Sequence, residues 1–211
     1  LLLAGAGSGK TTTMAYRIAY LVSEKKILAK NILGLSFTRK AANELSDRVK
    51  DLITKTSGPG HHKGIVLSTF HSLCARILRK NATRLGYTEQ FSILDDSDQT
   101  EIIREHLKTL KLDDRKFDPS FLRFEIGQAK NKFISPQNCE DYFFHVRKLK
   151  EDYAVILTNI YEKYQNSLKT LQSFDFDDLL FQTVHLLQDH QDIRDQYNRL
   201  FRFVLVDEYQ D

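Results

Sequence analysis

The first eleven residues constrain the fold more than any other stretch of the chain. An apolar run, 1–3, leads into a glycine-rich turn and then into Gly9-Lys-Thr11. Apolar residues follow at the helical spacing of Met14, Ile18 and Leu21. This order predicts a strand, a tight turn and a helix that starts beside Gly9.

A strand, a glycine-rich turn and a helix that starts with Lys-Thr are typical of a phosphate-binding loop. Glycines let several backbone N–H groups face one anion, and the helix adds its positive end. Lys10 would reach the β- and γ-phosphates, and the Thr11 hydroxyl would ligate Mg²⁺. A flexible Gly/Ser turn is the alternative, and the strict pattern is missed once because Ala stands first. The candidate nucleotide-binding residues are Ala4, Gly5, Ala6, Gly7, Ser8, Gly9, Lys10, Thr11 and Thr12.

Composition excludes several classes of protein. The chain has 211 residues, of which 41% are hydrophobic and 28% charged, as in a globular protein of one large or two small domains. It contains no apolar run long enough to span a bilayer, so we expect no membrane association. Cys74 and Cys139 give neither a metal-binding spacing nor a disulfide framework, which fits a reducing cytoplasm. The net charge of +3 is only a weak indication of a nucleic-acid partner.

The first third of the chain alternates strands and helices. Apolar runs at 31–37 and 64–69 are typical of buried parallel strands, and each is followed by a helical pattern. The segment 55–63 contains Gly58-Pro-Gly60 and is predicted to be a loop. With the first strand, these units predict a parallel α/β sheet whose functional groups lie at the carboxyl ends of the strands.

The alternation then stops. From Asp95 to about Phe201 the sequence shows helical periodicity and no strand. Asp95-Asp-Ser-Asp98 predicts a helix cap, and Pro119 predicts the first turn of another helix. We therefore predict an all-helical insertion subdomain at 79–189, and a sheet domain composed of 1–78 and 190–211.

The sheet is expected to return at the end of the chain. An apolar run, 203–206, ends in Asp207-Glu208. Asp207 at the strand tip would hold Mg²⁺, and Glu208 would orient and deprotonate an attacking water. Alone, this pattern is often a strand that leads into a solvated turn. Together with Gly9-Lys-Thr11 it predicts a site that binds ATP and Mg²⁺.

Five segments in this order resemble the UvrD/Rep/PcrA family of superfamily 1 helicases, over essentially the whole chain. They are Ala4-Gly-Ala-Gly-Ser-Gly-Lys-Thr11, Phe37-Thr-Arg-Lys-Ala-Ala42, Thr69-Phe-His71, Phe174-Asp-Phe-Asp-Asp-Leu179 and Asp207-Glu-Tyr-Gln210. The resemblance implies a partial RecA-like P-loop sheet of the α/β class with a helical insertion. It also implies a role for Gln210 in sensing the γ-phosphate, beside Lys10, Asp207 and Glu208.

Two departures from the family accompany the resemblance. Many members carry an arginine that helps to hold the adenine directly after the magnesium-binding threonine, where this chain has Thr12. The upstream adenine-reading segment and the second RecA-like lobe with its arginine fingers are also absent from this sequence. We therefore expect the chain to be a fragment of a longer protein and to be inactive alone.

The resemblance implies contact with single-stranded DNA at the ends of two strands. The residues concerned are Phe37, Thr38, Arg39, Thr69, Phe70 and His71. Hydroxyl and backbone groups would hold phosphates, while aromatic and arginine side chains stack on bases. The alternatives are that Phe37 is buried, that Arg39 is ordinary surface, and that His71 is structural.

Within the insertion, apolar and acidic residues are expected to be structural. Phe174, Phe176, Leu179 and Leu180 are predicted to be core, and Tyr161 and Tyr164 to pack. Asp175, Asp177 and Asp178 are predicted to cap a helix and lie in its first turn. A basic set is predicted to be a solvated face, with duplex phosphate contact as the alternative: Lys130, Lys132, Arg147, Lys148 and Lys150. The predicted buried residues are Ile102, Leu107, Phe121, Phe143 and Ile156.

The expected parent is an ATP-dependent 3′–5′ DNA helicase or translocase that acts on single-stranded DNA and on junctions of single- and double-stranded DNA. Its direction comes only from the resemblance, and repair or replication proteins are expected partners. The motor lobe of a helicase-nuclease subunit and a nucleotide-switched DNA-binding module remain alternatives. A small-molecule kinase explains neither Thr69-Phe-His71 nor the long insertion.

Overall fold

The computed structural model describes residues 9–113 and 115–209. These residues form two compact units, with boundaries after Leu73 and before Leu187. The sequence placed the boundaries at 78/79 and 189/190, a few residues later in both cases. Both structural boundaries lie within helices, which explains why no turn signal marks them.

The first unit contains a parallel sheet with helices packed against it. Its elements are α1 (Lys10–Ser23), β1 (Ile32–Ser36), α2 (Arg39–Ser57), β2 (Val66–Thr69), the start of α3 (Phe70–Lys80), α9 (Gln191–Leu200) and β5 (Phe203–Val206). The predicted loop at 55–63 starts later than expected, because α2 continues to Ser57. The predicted first strand, 1–3, lies outside the described residues.

The sheet has the strand order β2-β1-β5, and all three strands are parallel. Every residue of the central strand, β1, is buried, as its apolar sequence predicts. Gly34 of β1 lies against α1, because a Cβ built on it would be 3.2 Å from Met14 Cε and 3.6 Å from Ile18 Cδ1. This close approach holds the start of α1 near the carboxyl ends of the strands.

The second unit is mainly helical. Its elements are the rest of α3, β3 (Ser92–Ile93), α4 (Asp96–Thr109), α5 (Pro119–Asn131), α6 (Cys139–Asp141) with the π-helical turn Tyr142–Val146, α7 (Glu151–Thr170), β4 (Ser173–Phe174) and α8 (Phe176–Asp189). Asp95 caps α4 in a capping box with Asp98, and Pro119 starts α5, as the sequence predicted. The stretch from Asp141 to Leu171, left open as one helix or two, is broken before Glu151.

The expectation of a strand-free insertion is wrong at one point. Ser173 and Phe174 form β4, which pairs in parallel with Ser92 and Ile93 of β3. Two residues are too few to produce a period-2 pattern, and their partners lie about 80 positions away in the sequence. The α/β class with a helical insertion is otherwise as predicted.

The core of the second unit confirms most of the predicted packing. Leu107, Phe143, Tyr161 and Tyr164 are buried, and Ile102 and Ile156 are partly buried against the same cluster. The predicted burial of Phe121 is wrong, because this residue of α5 is 36% exposed.

The start of α8 mixes buried and exposed side chains. Phe174 and Leu179 are buried and Leu180 is half-buried, whereas Phe176 is 53% exposed. Phe176 is therefore a second wrong core prediction, since the first residue of α8 faces solvent.

Within the described residues, no helix combines the length and apolar character of a membrane span.

Candidate nucleotide and nucleic-acid site

Helix α1 begins with a geometry suited to an anion. Gly9, the residue before the helix, has a left-handed φ of +88°, and among the described residues no side chain caps the helix. The first turn contains no acidic residue, so its backbone N–H groups and positive end have no competing carboxylate on α1. The other predicted loop residues, Ala4, Gly5, Ala6, Gly7 and Ser8, lie outside the described residues.

The two ends of the chain meet at this helix. Thr11 Oγ1 donates a hydrogen bond of 2.9 Å to Asp207 Oδ2, across 196 positions of sequence. Lys10 Nζ lies 3.6 Å from Glu208 Oε1. Asp207 is held in place because its backbone N–H donates to Leu35 O at 2.8 Å, which extends β5 beside β1. The structure therefore brings four predicted site residues together; Gln210 lies outside the described residues.

Glu208 has an unusual backbone conformation. Its φ is +50°, in the left-handed region, which costs a residue with a side chain of the order of 1–3 kcal/mol. The strand ends here, and the turn brings the Glu208 carboxylate towards Lys10. A strained residue directly after a strand is typical of functional sites.

The donor set fits Mg²⁺ and a nucleotide polyphosphate. Thr11 and Asp207 supply a hydroxyl and a carboxylate oxygen, which are ligands that Mg²⁺ prefers, and phosphate oxygens complete such sites. The Thr11–Asp207 hydrogen bond shows that both oxygens already converge on one small volume. The Lys10 ammonium stands beside them as the complement to a phosphate.

Arg48 is a site neighbour that the sequence did not identify. It lies on α2, and its Nη1 donates a 2.6 Å hydrogen bond to Thr12 Oγ1 in the first turn of α1. Thr12 stands where the resembling family often has an arginine. A guanidinium is therefore present beside this position, contributed by a different helix.

The predicted DNA-contacting residues lie at the ends of the neighbouring strands β1 and β2. Phe37 is 61% exposed, so the alternative of a buried Phe37 is wrong. Thr38 caps α2, because its Oγ1 accepts from Ala41 N at 3.1 Å, and its O–H can still donate. Arg39 is exposed in the first turn of α2.

The second group follows β2. Thr69 is buried, and its hydroxyl accepts from Ser72 N and donates to Ser72 Oγ. Phe70 and His71 are half-buried in the first turn of α3. Burial lowers the pKa of His71, so its ring is neutral near pH 7 and suited to hydrogen bonding or stacking rather than to an ion pair.

Ser36, the last residue of β1, is in register with Thr69, the last residue of β2. The candidate DNA-contacting residues that follow these two strands therefore lie beside each other at the carboxyl ends of the strands. Asp207 follows β5 at the same carboxyl ends of the strands, where its backbone N–H donates to Leu35 O. The candidate nucleotide and DNA residues thus share a single face of the first unit.

Comparison with known proteins gives a family. The family described as the UvrD/REP helicase N-terminal domain matches residues 1–211. The chain belongs to this family. It is 42% identical over its full length to the ATP-dependent DNA helicase PcrA of Bacillus subtilis (strain 168). It is 36% identical to the proteins of that name from Staphylococcus aureus (strain Mu50) and Staphylococcus epidermidis.

The chain spans 27% of the length of each of these relatives. The range matched by the UvrD/REP helicase N-terminal domain, 1–211, includes the sheet residues and the insertion. The family therefore covers both ends of the site, Lys10-Thr11 and Asp207-Glu208.

The insertion contains a buried ionic cluster that the sequence did not predict. Lys130 Nζ lies 2.5 Å from Asp175 Oδ2 and 2.9 Å from Asp178 Oδ1, and Tyr164 OH donates to Asp175 Oδ2 at 2.8 Å. We call Lys130, Tyr164, Asp175 and Asp178 the Lys130 cluster. Asp175 and Asp178 also cap α8, as predicted, since Asp178 N donates to Asp175 Oδ1 at 2.7 Å.

The prediction of a solvated basic face is wrong for Lys130, which is 1% exposed. The sequence did indicate that Lys130 is buried, because Lys130 follows Ile126 by four residues and Leu122 by eight, a spacing that places it on the buried face of α5. Arg147 is also engaged, with two 2.7 Å bonds to the buried Glu125. Lys132, Lys148 and Lys150 are exposed, as predicted.

The Lys130 cluster has perturbed protonation equilibria. Burial lowers the pKa of Lys130, but the charges of Asp178 and Asp175 outweigh it and raise the pKa overall. Burial raises the pKa of Asp178 to about 6, although Lys130 opposes this. The cluster therefore keeps its lysine charged and makes one carboxyl easier to protonate than in water.

Proposed function

We propose that this chain is the nucleotide-binding lobe, with its insertion, of an ATP-dependent DNA helicase or translocase that acts on single-stranded DNA. One observation carries the proposal: Thr11 and Lys10 meet Asp207 and Glu208 at 2.9 and 3.6 Å. Membership of the UvrD/REP helicase N-terminal domain family supports it. So does the name of the relatives, ATP-dependent DNA helicase PcrA.

Each residue has a distinct role in this proposal. Lys10 neutralises charge on the β- and γ-phosphates, and Thr11 and Asp207 hold the Mg²⁺ ion. Bound Mg²⁺ would stabilise the negative charge that develops on the phosphates during hydrolysis. Glu208 orients the attacking water and accepts its proton. Gln210 is proposed to sense the γ-phosphate, and the loop 4–9 to cradle the polyphosphate with backbone N–H groups.

The DNA-binding role rests on the position of the candidate residues. An exposed Phe37, the Arg39 guanidinium and the half-buried Phe70 and His71 follow adjacent strand ends. Aromatic faces and an arginine are the groups that stack on the bases of a single strand, and the starts of α2 and α3 suit its phosphates. Thr38 and Thr69 fix the starts of those helices.

Several finer features belong to the same proposal. Movement from 3′ to 5′, action at junctions and a role with repair or replication proteins rest on the family resemblance, and a cytoplasmic location rests on the absence of a disulfide framework in the sequence. The part of the relatives not covered by this chain would supply the second lobe.

The test is phosphate release by the full-length protein, with and without a single-stranded oligonucleotide. We expect stimulation by the oligonucleotide, its loss in Lys10→Ala, and weaker DNA binding in Phe37→Ala. Phe124→Ala is a matched control, because Phe124 is similarly exposed on α5 and outside the candidate site. Hydrolysis without directional movement on DNA would favour a nucleotide-switched binding module. Absence of nucleotide binding by the wild-type protein would refute the proposal.

A further inference from the structure

One buried polar atom at the site has no hydrogen-bond partner within the part of the chain that the structure describes. Ser36 Oγ, on the last residue of β1, is in a side chain that is 1% exposed, and no described residue forms a hydrogen bond with it. Buried hydroxyl groups are nearly always paired. An unpaired one is costly, so its position invites a ligand that supplies the missing partner.

The pleat of β1 shows which way Ser36 points. Gly34, two residues earlier, faces Met14 and Ile18 of α1. Alternate residues of a strand share a face, so Ser36 lies on the α1 side of the sheet. Since it is nearer the carboxyl end of β1 than Gly34, it lies towards the start of α1, where Lys10 and Thr11 are.

Two other polar side chains flank Ser36 in the same row of the sheet. Thr69 is its register partner on β2, and Asp207 follows Val206, the register partner of Leu35, on β5. Neighbouring parallel strands present registered side chains on the same face. Thr69, Ser36 and Asp207 are each at most 7% exposed. They form a buried polar row across the three strands.

The two outer members of this row are already engaged. The Thr69 hydroxyl exchanges hydrogen bonds with Ser72, and Asp207 Oδ2 accepts from Thr11. Within the described residues only the central hydroxyl of the row, on Ser36, is unpaired. A group that enters beside Asp207 from the α1 side would meet it.

We propose that Ser36 is a positioning residue of the nucleotide site. In the metal–nucleotide complex its hydroxyl oxygen accepts a hydrogen bond from a water molecule in the coordination shell of the Mg²⁺ ion, and the same water donates its other proton to the Asp207 carboxylate. Mg²⁺ keeps several of its waters in protein sites. Such a water directs its oxygen at the metal, so its two protons need acceptors such as a carboxylate or a hydroxyl oxygen. This inference rests on the proposed function, because it requires the site to bind a metal–nucleotide complex.

Ser36→Ala is the decisive variant, and two measurements are made on the full-length protein. The first is thermal stability without ligand. The second is the affinity for a non-hydrolysable ATP analogue, by calorimetry, with Mn²⁺ in place of Mg²⁺ and again with EDTA. Ser36→Thr keeps the hydroxyl and serves as the conservative variant. Ser23→Ala is the control, since Ser23 is buried in the same unit but is paired with Thr56 and Ser57.

We expect Ser36→Ala to keep or raise the stability of the ligand-free protein, because it removes an unpaired buried group. Its affinity in the presence of Mn²⁺ should fall by about threefold to tenfold, the effect of one hydrogen bond, and its affinity in EDTA should not change. Ser36→Thr should restore the Mn²⁺-dependent affinity. Ser23→Ala should lower stability and leave both affinities as in the wild type.

Two results would overturn the inference while leaving the proposed function intact. One is wild-type affinity of Ser36→Ala in Mn²⁺. The other is a loss of ligand-free stability in Ser36→Ala as large as in Ser23→Ala, which would mean that the hydroxyl has a structural partner. If the wild-type protein bound no metal–nucleotide complex at all, both the inference and the proposed function would fail.

Discussion

The Lys130 cluster makes the insertion sensitive to the loss of one ammonium group. Lys130→Met replaces the cation with an apolar side chain of similar length and leaves Asp175 and Asp178 buried at 2% and 0% exposure. Breaking a buried ion pair by removing one partner costs about 3–5 kcal/mol, because an uncompensated charge is left behind. Here two carboxylates lose the same cation, so we expect a value in the upper half of that range.

The effect should depend on pH in a definite direction. In the wild type, the folded-state pKa of Asp178, about 6, lies above the ordinary aspartate value of 3.8. Between these pH values the folded state binds more protons than the unfolded state, so this carboxyl makes stability fall as pH rises. Lys130 opposes that rise in the pKa of Asp178, so its removal moves the pKa further up. The loss in Lys130→Met should therefore be larger at pH 8 than at pH 5.

Peptide-resolved hydrogen exchange is the suitable assay, since the chain has no tryptophan and two units that need not unfold together. After correction for intrinsic rates, amides of α5 and of the start of α8 should lose protection by a factor of about 10²–10⁴ at pH 8. Lys132→Met, which changes the exposed residue directly after α5, should change protection little. Equal losses at the two pH values, or no more loss than in Lys132→Met, would refute the assignment of a charged, desolvated cluster.

Three further predictions concern the first unit and the activity of the isolated chain. Gly34→Ala should destabilise the first unit by about 1–3 kcal/mol in urea unfolding, because the new Cβ would stand 2.4 Å from Leu67 Cδ2 and 3.2 Å from Met14 Cε. Gly58→Ala is the comparison that introduces conformational strain without a clash, because the φ of Gly58 is +90° and no atom of the described residues would lie within 4 Å of the new Cβ. Arg48→Ala should lower stability by about 0.5–1.5 kcal/mol through loss of the 2.6 Å hydrogen bond to Thr12, and should weaken nucleotide binding measured by calorimetry. Arg39→Ala, which removes a positive charge from the same helix, is the control. Wild-type stability and nucleotide affinity in Arg48→Ala would show that the bond is unimportant. The isolated chain should release negligible phosphate from ATP, with or without DNA, because an arginine finger from a second lobe is worth about 10³–10⁵ in rate; turnover close to that of the full-length protein would contradict this.

The sequence predicted the elements whose signals are local. Helix α4 was identified from its Asp95–Asp98 cap and α5 from Pro119, and both start where expected. Strand β1 was recognisable because a parallel strand buried on both faces is a continuous apolar run.

Features built from distant residues were harder to predict. The pairing of β3 with β4 joins two-residue strands, and the Lys130 cluster joins α5 to the start of α8 across 45 positions. In neither case does a periodic pattern show which distant residues are partners. Charge alone favoured a solvated Lys130, although its position on the apolar face of α5 indicated burial.

The residues of the candidate site also divide into those with a local sequence signal and those that only the fold brings to the site. Lys10, Thr11, Asp207 and Glu208 belong to short motifs with a known chemical purpose, so they could be named from the sequence. Arg48 and Ser36 carry no motif of their own. They are seen as site residues only when α2 is placed beside α1 and β1 between β2 and β5.

The most direct test concerns Glu208, which is assigned the role of base in a site assembled from both ends of the chain. Nucleotide binding and DNA-stimulated phosphate release are measured on the full-length protein and on its Glu208→Gln variant, which keeps the shape of the side chain. Glu208→Gln should still bind the Mg²⁺–nucleotide complex, while its hydrolysis rate falls by about 10²–10⁴, the contribution of a positioned base. Hydrolysis by Glu208→Gln at nearly the wild-type rate would contradict the proposal that this carboxylate and Lys10 serve one hydrolytic site.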